Sequence, residues 1–513
     1  MNWSLKKNKM NNFIIERICK LGLQKPDTVA IKDKSGVITY KQLCEAVEEY
    51  ASQLLKKTGG SREPVIVYQD RNRYFIISML ACLKAGCFYI PVVRETPAER
   101  IEQIIKDSKC RLALTDERID HPGLNQLNVR TKEWVEAAND DRTQEAWWQQ
   151  PVAYVMYTSG TTGTPKGVII RLDNLQNLVE SFGEILYNGL LGVVNVAVLA
   201  SFGFDSSVKQ IYCSLYYGHT LVIATEREKH FSKLLQQFYS ENEINISDGT
   251  PSNLRILLMT KKRIQNQVDF YVIGGENFPV ELARKMMEMH ENKIRIINVY
   301  GPTECCVDVS YNIVDERQLE GDFIPIGVPL LNTRLAIVDE CGEEIKESGK
   351  KGELVVFGRQ VGSGYTNGRN EKFGFRADTF ENYYYTGDIA SMDECSRLIV
   401  HGRRDHQIKR SGYRIELDEI AIQVKKTELV LDVVVRKMVF DEREKVVAFV
   451  VVSPDTDVTA ITRELQKRLP QYMVPDKLIR LESIPLNLNG KTDEKKLKLL
   501  YEESVHANKE TFG

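Results

Sequence analysis

The chain is 513 residues long, past the size at which a single core keeps growing, so at least two domains are expected. Its 42% hydrophobic and 27% charged residues make an ordinary water-soluble globular composition, and a formal net charge of −2 argues against a nucleic-acid footprint. Ten cysteines without a C-x-x-C spacing suit neither a zinc site nor a disulfide framework and fit reduced, intracellular thiols.

In chain order, the basic N-terminus MNWSLKKNKMNNFIIERICK lacks the apolar core and small-residue cleavage site of a secretory signal. Apolar runs (PVIVYQD, RLALTD, TLVIAT, YVIGG, IRIINVYG) then alternate with amphipathic segments such as AERIEQIIKDSK and ELARKMMEMHENK. That alternation predicts an α/β architecture of layered sheets and helices for the large N-terminal part. The most apolar stretch, residues 189–204, is broken by Asn195 and falls short of the roughly 18 apolar residues of a membrane span. No membrane partner is expected, and a cytoplasmic location is the default. Beyond HGRRDHQIKRSGYRIELDEI the texture changes: LDVVVRKMV and EKVVAFVVV flank FDERE like a hairpin, and TAITRELQKRL reads as a helix stopped by Pro470. The boundary falls at Asp405, giving a large domain over 1–404 and a small α+β domain over 405–513.

Between the apolar runs VAYVMY and GVII lies YTSGTTGTPKGV, residues 157–168. Flanking buried strands would pin this loop at both ends. Gly160, Gly163 and Gly167 let backbone N–H groups face one concavity, and Thr158, Ser159, Thr161, Thr162 and Thr164 add hydroxyls. Such a nest suits phosphate oxygens, with Lys166 as a point charge. A Walker A loop is excluded, since Pro165 and Gly167 stand where Gly and Ser/Thr are required.

The stretch resembles the phosphate loop of the adenylate-forming enzymes, which include acyl-CoA synthetases, luciferases and the adenylation domains of non-ribosomal peptide synthetases. Further motifs of that family recur in order. ITYKQL (38–43), LKAGCFYIPV (83–92), GELVVFG (352–358) and LPQYMVP (469–475) resemble its structural motifs. NVYGPTE (298–304) implies that Tyr300 stacks on adenine and that Glu304 holds Mg2+. YYTGDIA (384–390) implies that Asp388 accepts hydrogen bonds from the ribose hydroxyls. GRRDHQIK gives Arg403 as a second ribose contact and Asp405 as hinge. NGK near the C-terminus resembles the context of the family's catalytic lysine, here Lys491. The resemblance thus implies ATP and Mg2+ as cofactors, with Thr158, Glu304 and Lys491 catalytic. ATP would be bound by Thr158, Ser159, Gly160, Thr161, Thr162, Gly163, Lys166, Tyr300, Asp388, Arg403 and Lys491. The small domain would turn after adenylation and bring the Gly412 loop in place of Lys491.

FGFDSSV (202–208) places Asp205 where amino-acid-activating members hold the α-ammonium. The positions matching the family's specificity residues are Asp205, Ser206, Lys209, Asp248, Val272, Gly274, Val299, Val307, Asp308 and Lys491. This set resembles that of glutamate-activating domains, and relatives with Gln in place of Lys209 take glutamine. Residue chemistry alone leaves a basic substrate open, because Asp248 and Asp308 outnumber Lys209. Arg410 and Leu172 depart from the family's usual aliphatic residue and His, departures that bear on the thioester step. With 22 residues after Lys491 and no HHxxxDG motif, a free-standing enzyme is expected, passing its aminoacyl group to a phosphopantetheine carrier in trans. A ligase delivering the adenylate to CoA or a small amine is the alternative.

Overall fold

Single strands show how the large sheet divides its environment. Val196 and Val198 face one hydrophobic core while Ala197 and Leu199 face another; Val272 and its neighbours Tyr271 and Ile273 divide in the same way. This is the period-2 alternation of a sheet buried on both faces, which explains why its strands read as continuous apolar runs. The computed structural model describes residues 12–138, 148, 150–160, 163–259, 268–291, 293–316, 319–404, 407–410, 413–440, 443–453, 456–486 and 492–510.

The described residues form two compact units, one of 1–94, 105–157 and 167–404, the other of 95–104, 158–166 and 405–513. In the first, a nine-stranded sheet runs in the order Val328–Pro329, Ser310–Ile313, Arg295–Tyr300, Phe270–Ile273, Ile244–Gly249, Asn195–Val198, Thr220–Ile223, Val29–Asp33 and Gly36–Thr39. Its six central strands are parallel, and antiparallel strands close both edges. A seven-stranded sheet centres on the parallel strands Pro64–Gln69, Phe88–Val93 and Leu112–Thr115. One core joins residues of both sheets (Tyr89, Tyr154, Val196, Ile297) to helix residues Phe75, Phe182 and Ile211. The other face of the nine-stranded sheet is covered by Leu235, Leu254 and Met286 from the helices Ser232–Glu241, Pro251–Leu258 and Val280–Met289. An antiparallel five-stranded sheet of residues 333–403 completes this unit.

In the second unit the strands Asp432–Phe440 and Arg443–Val451 form the expected antiparallel hairpin, and Lys477–Leu481 adds in parallel. Val435, Ala448 and Val450 pack with Ile420, Ile461 and Leu465, while Val447 and Phe449 meet Leu497 and Tyr501 on the other face. The helix Val458–Arg468 ends where expected: Leu469, before Pro470, has left the helical conformation (φ −112°, ψ 142°). Among the described residues, no helix is long and apolar enough to cross a membrane. The apolar stretch around Asn195 is instead a buried strand, its amide donating to the Asn242 carbonyl at 3.0 Å.

Candidate active site

The helix Ser206–Tyr217 begins just after Asp205, so Asp205 and Lys209 lie one turn apart on the same face. Asp205 lies near Tyr154 and Cys306, and its charge adds to the burial that pushes both their pKa values up. Lys209 is 3% exposed. Its ammonium bridges two carboxylates, with Nζ 3.1 Å from Asp248 Oδ2 and 2.9 Å from Asp308 Oδ2, and lies 5.1 Å from the centre of the Phe182 ring. Gln210 fixes Asp248 from the side, its amide donating to Oδ1 at 3.3 Å and to the backbone carbonyl at 3.0 Å. Burial raises Asp248 to about 6, with Lys209 pulling down and Asp308 pushing up; the paired Lys209 is itself held above its usual range.

The Lys209 ammonium lies closer to Asp308 than to Asp248, at 2.9 Å against 3.1 Å. Val272, Val299 and Val307 belong to the same core as Phe182. Gly274 is dictated by crowding: a Cβ there would sit 2.6 Å from Val299 Cγ2 and 2.8 Å from its carbonyl oxygen. Cys306 and Val307 adopt φ of 51° and 75°, and this strained turn delivers Asp308 to Lys209. Thus Lys209, Asp248 and Asp308 meet directly, and Asp205, Ser206, Val272, Gly274, Val299 and Val307 belong to the same unit.

A second set also lies within the first unit. Asp388 and Arg403 are cross-strand partners, and Arg403 donates to Asp388 Oδ1 at 2.9 Å. The Tyr300 hydroxyl, at the end of its strand, donates to the other carboxylate oxygen. Burial and Asp388 together push the Tyr300 phenol well up. Glu304 is fully buried in the short turn Thr303–Cys305, and Tyr365 donates to its Oε1 at 2.6 Å.

The glycine-rich loop expected to bind phosphate groups with the second unit. The strands on either side of it are Val152–Thr158 and Lys166–Arg171, as expected. Gly163 has φ 76°, which its lack of a Cβ permits, and its N–H closes a turn onto the Gly160 carbonyl at 3.0 Å. The Gly160 N–H donates at 2.9 Å to Glu419 Oε2, whose other oxygen pairs with Arg100 at 2.9 Å. Ser159 donates to the Arg414 carbonyl (3.0 Å) and accepts from the Glu416 N–H (3.2 Å); Gln423 donates to the Gly163 carbonyl (2.9 Å). Lys166 Nζ is 3.8 Å from Glu416 Oε1. Thr158 Oγ1 is buried without a hydrogen-bond partner among the described residues. The loop therefore does hold an anionic oxygen on its backbone, here a carboxylate from RIELDEI. Thr161, Thr162, Asp405, Gly412 and Lys491 lie outside the described residues.

Sequence reasoning passed over Phe182, Gln210, Tyr365, Arg100 and Glu419. None of the five carries a local signal, because each is paired with a residue distant in sequence or with one whose role is itself only spatial.

A family model described as "AMP-binding enzyme" matches residues 21–366. The chain belongs to the AMP-binding enzyme family. It is 32% identical over 510 residues to a D-alanine--D-alanyl carrier protein ligase of Bacillus licheniformis, covering 94% of this chain and 99% of that protein. It is also 33% identical over 492 residues to surfactin synthase subunit 1 of Bacillus subtilis, of which it spans 14%. Among solved structures, holo-PA1221, an NRPS protein containing adenylation and PCP domains, superposes with a TM-score of 0.81 at 26% identity, covering 94% of this chain and 83% of that one. The Vibrio cholerae adenylation domain AlmE gives 0.82 at 22% identity over 98% of this chain and all of that one, which shows the same fold. The layered α/β sheets with a smaller α+β part are thus the adenylate-forming fold, and the chain is an AMP-binding ligase.

Proposed function

We propose that this ligase activates L-glutamate with ATP, forming glutamyl-AMP and pyrophosphate, and then passes the glutamyl group to the phosphopantetheine thiol of a separate carrier protein in the cytoplasm. The observation that carries the substrate assignment is Lys209, a buried ammonium one helical turn after Asp205. A buried carboxylate needs such a cation, and a neutral side chain does not. Asp205 would hold the α-ammonium, and Ser206, Asp248, Val272, Gly274, Val299, Val307 and Asp308 would shape the pocket.

The carboxylate attacks the α-phosphorus in line, and positioning and electrostatics suffice without covalent catalysis. Tyr300 would lie against the adenine; Asp388 and Arg403, already paired, would bind the ribose. The phosphate loop from Thr158 to Lys166 would cradle the phosphates, as its Gly160 amide already binds a carboxylate. Glu304 would hold Mg2+, which supplies neutralisation of phosphate charge. A single buried carboxylate fits an ion that keeps water and phosphate oxygens as its other ligands. Lys491 would donate to the developing charge in the transition state. Residues 405–513 would act as a small mobile domain turning about Asp405 for the thioester step.

A basic side chain is the second reading, favoured by the excess of aspartates over Lys209. Hydroxylamine trapping with single amino acids identifies the adenylate formed. AMP release on adding carrier, CoA or a small amine then identifies the acceptor. Glutamyl hydroxamate together with carrier-dependent AMP release is the expected result; trapping only with lysine or ornithine, or AMP release only with CoA, would replace this reading.

A further inference from the structure

Away from the pocket, two helices of the first unit bring a pair of thiols together. Cys19 lies on Phe13–Gln24 and Cys44 on Tyr40–Thr58. The helices approach closely beside them: a Cβ on Gly22 would meet Cys44 Sγ at 2.5 Å and the Tyr40 carbonyl at 3.1 Å. Cys44 Sγ lies 3.5 Å from the carbonyl of Ile18, the residue next to Cys19, and each thiol acts on the other's titration. Lys84, at the end of a third helix, sets its Nζ 3.5 Å from Cys19 Sγ and 2.7 Å from Glu48 Oε2. Both cysteines are partly exposed, whereas Cys82, Cys87, Cys110, Cys213, Cys305 and Cys306 are buried.

We infer that Cys19 and Cys44 form an oxidisable dithiol, with Cys19 the peroxide-reactive thiolate and Cys44 the resolving thiol. A cation beside a partly exposed sulfur is the setting in which thiolates form at neutral pH. The Cys44 hydrogen bond and the Lys84 ammonium hold Cys19 down at about 6 against the opposing effects of burial and Glu48, while the same coupling and burial push Cys44 up. The Lys84 ammonium, 3.5 Å from Cys19 Sγ, favours the thiolate at Cys19 and the proton on its partner. Cys19 thiolate attacks one oxygen of hydrogen peroxide, the O–O bond breaks, and Cys19 sulfenic acid and hydroxide result; the hydroxide takes a proton to become water. Cys44 sulfur then attacks Cys19 sulfur, and the departing hydroxide takes the Cys44 proton as a second water. Two thiols and one peroxide thus give one disulfide and two waters. The bond would tie the two helices across the intervening chain. The first of these helices also carries Phe13, whose ring lies 5.1 Å from that of Tyr216 on the helix bearing Lys209.

The test is oxidation of the folded full chain with one equivalent of hydrogen peroxide at pH 7, followed by blocking of free thiols and non-reducing peptide mass spectrometry. The expected product is a Cys19–Cys44 cross-linked peptide, reversed by dithiothreitol. In Cys44→Ser, dimedone should label Cys19 instead. In Lys84→Gln, alkylation of Cys19 by iodoacetamide at pH 6 should slow about tenfold, as loss of the cation returns the thiol toward its ordinary range. Oxidation confined to the exposed Cys341 and Cys395, a Cys19–Lys84 cross-link, or Cys19 alkylation no faster than that of Cys395 would overturn the inference.

Discussion

Lys209 carries more of the account than any other described side chain, and its partners state its chemistry. Two carboxylates around one ammonium leave the pocket with a net negative charge, so a third carboxylate enters comfortably only if a proton comes with it. Asp248, raised to about 6, is the group to take it; it is faced by Lys209, Gln210 and Asp308 and lies near Tyr187 and Cys213. Above that pKa the protonated fraction of free enzyme falls about tenfold per pH unit. The kcat/KM for glutamate should therefore decline relative to that for glutamine as pH rises from 6.5 to 8.5, by up to that factor per unit. A pH-independent ratio in steady-state exchange assays would remove the proton from glutamate recognition. Lys209→Gln deletes the cation and keeps a hydrogen-bonding group of similar reach. Glutamate should lose about 3 to 5 kcal/mol of binding, the scale of breaking a buried ion pair, while glutamine loses much less. Substrate titrations of wild type and variant measure the shift, and equal losses for both substrates would contradict it.

Among the elements, the phosphate loop was the most legible from sequence and the least complete. Its glycines and its flanking strands were readable because backbone conformation and apolar periodicity are local properties. What it touches was not: Glu419 and Arg100 reach it through tertiary packing. The turn at Cys306 and Val307 was equally hidden, since nothing in CCVD signals left-handed backbone at a β-branched residue. If the loop cradles phosphate as proposed, Glu419 and a phosphate oxygen would compete for the Gly160 amide. Glu419→Gln leaves a neutral acceptor there, weaker by about 1 kcal/mol, the difference between charged and neutral hydrogen bonds. The KM for ATP should fall several-fold in that variant, at a lowered thermal midpoint because Arg100 loses its buried carboxylate partner. An unchanged or higher KM would mean that the carboxylate and ATP do not share the amide.

At the scale of the whole molecule, the α/β layering, the C-terminal hairpin and the family were readable from ordered motifs and alternating periodicities over most of the chain. The membership of residues 95–104 and 158–166 in the second unit was not, because chain order says nothing about which distant segments pack together. The two-step reaction proposed for this ligase assigns separate demands to separate residues. Lys491→Ala should cost on the order of 100-fold or more in adenylation while leaving ATP affinity largely intact, the mark of a donor that acts in the transition state. Asp405→Pro should spare adenylation and slow carrier loading, which a comparison of exchange and thioester-formation rates would detect; equal slowing of both would argue against a hinge there. The most direct test of the central claim is ATP–pyrophosphate exchange with wild-type enzyme across the proteinogenic amino acids and ornithine. The expected result is the highest kcat/KM for L-glutamate, with glutamine next and basic amino acids near background. Preference for lysine, ornithine or arginine would show that Asp248 and Asp308, rather than Lys209, read the side chain.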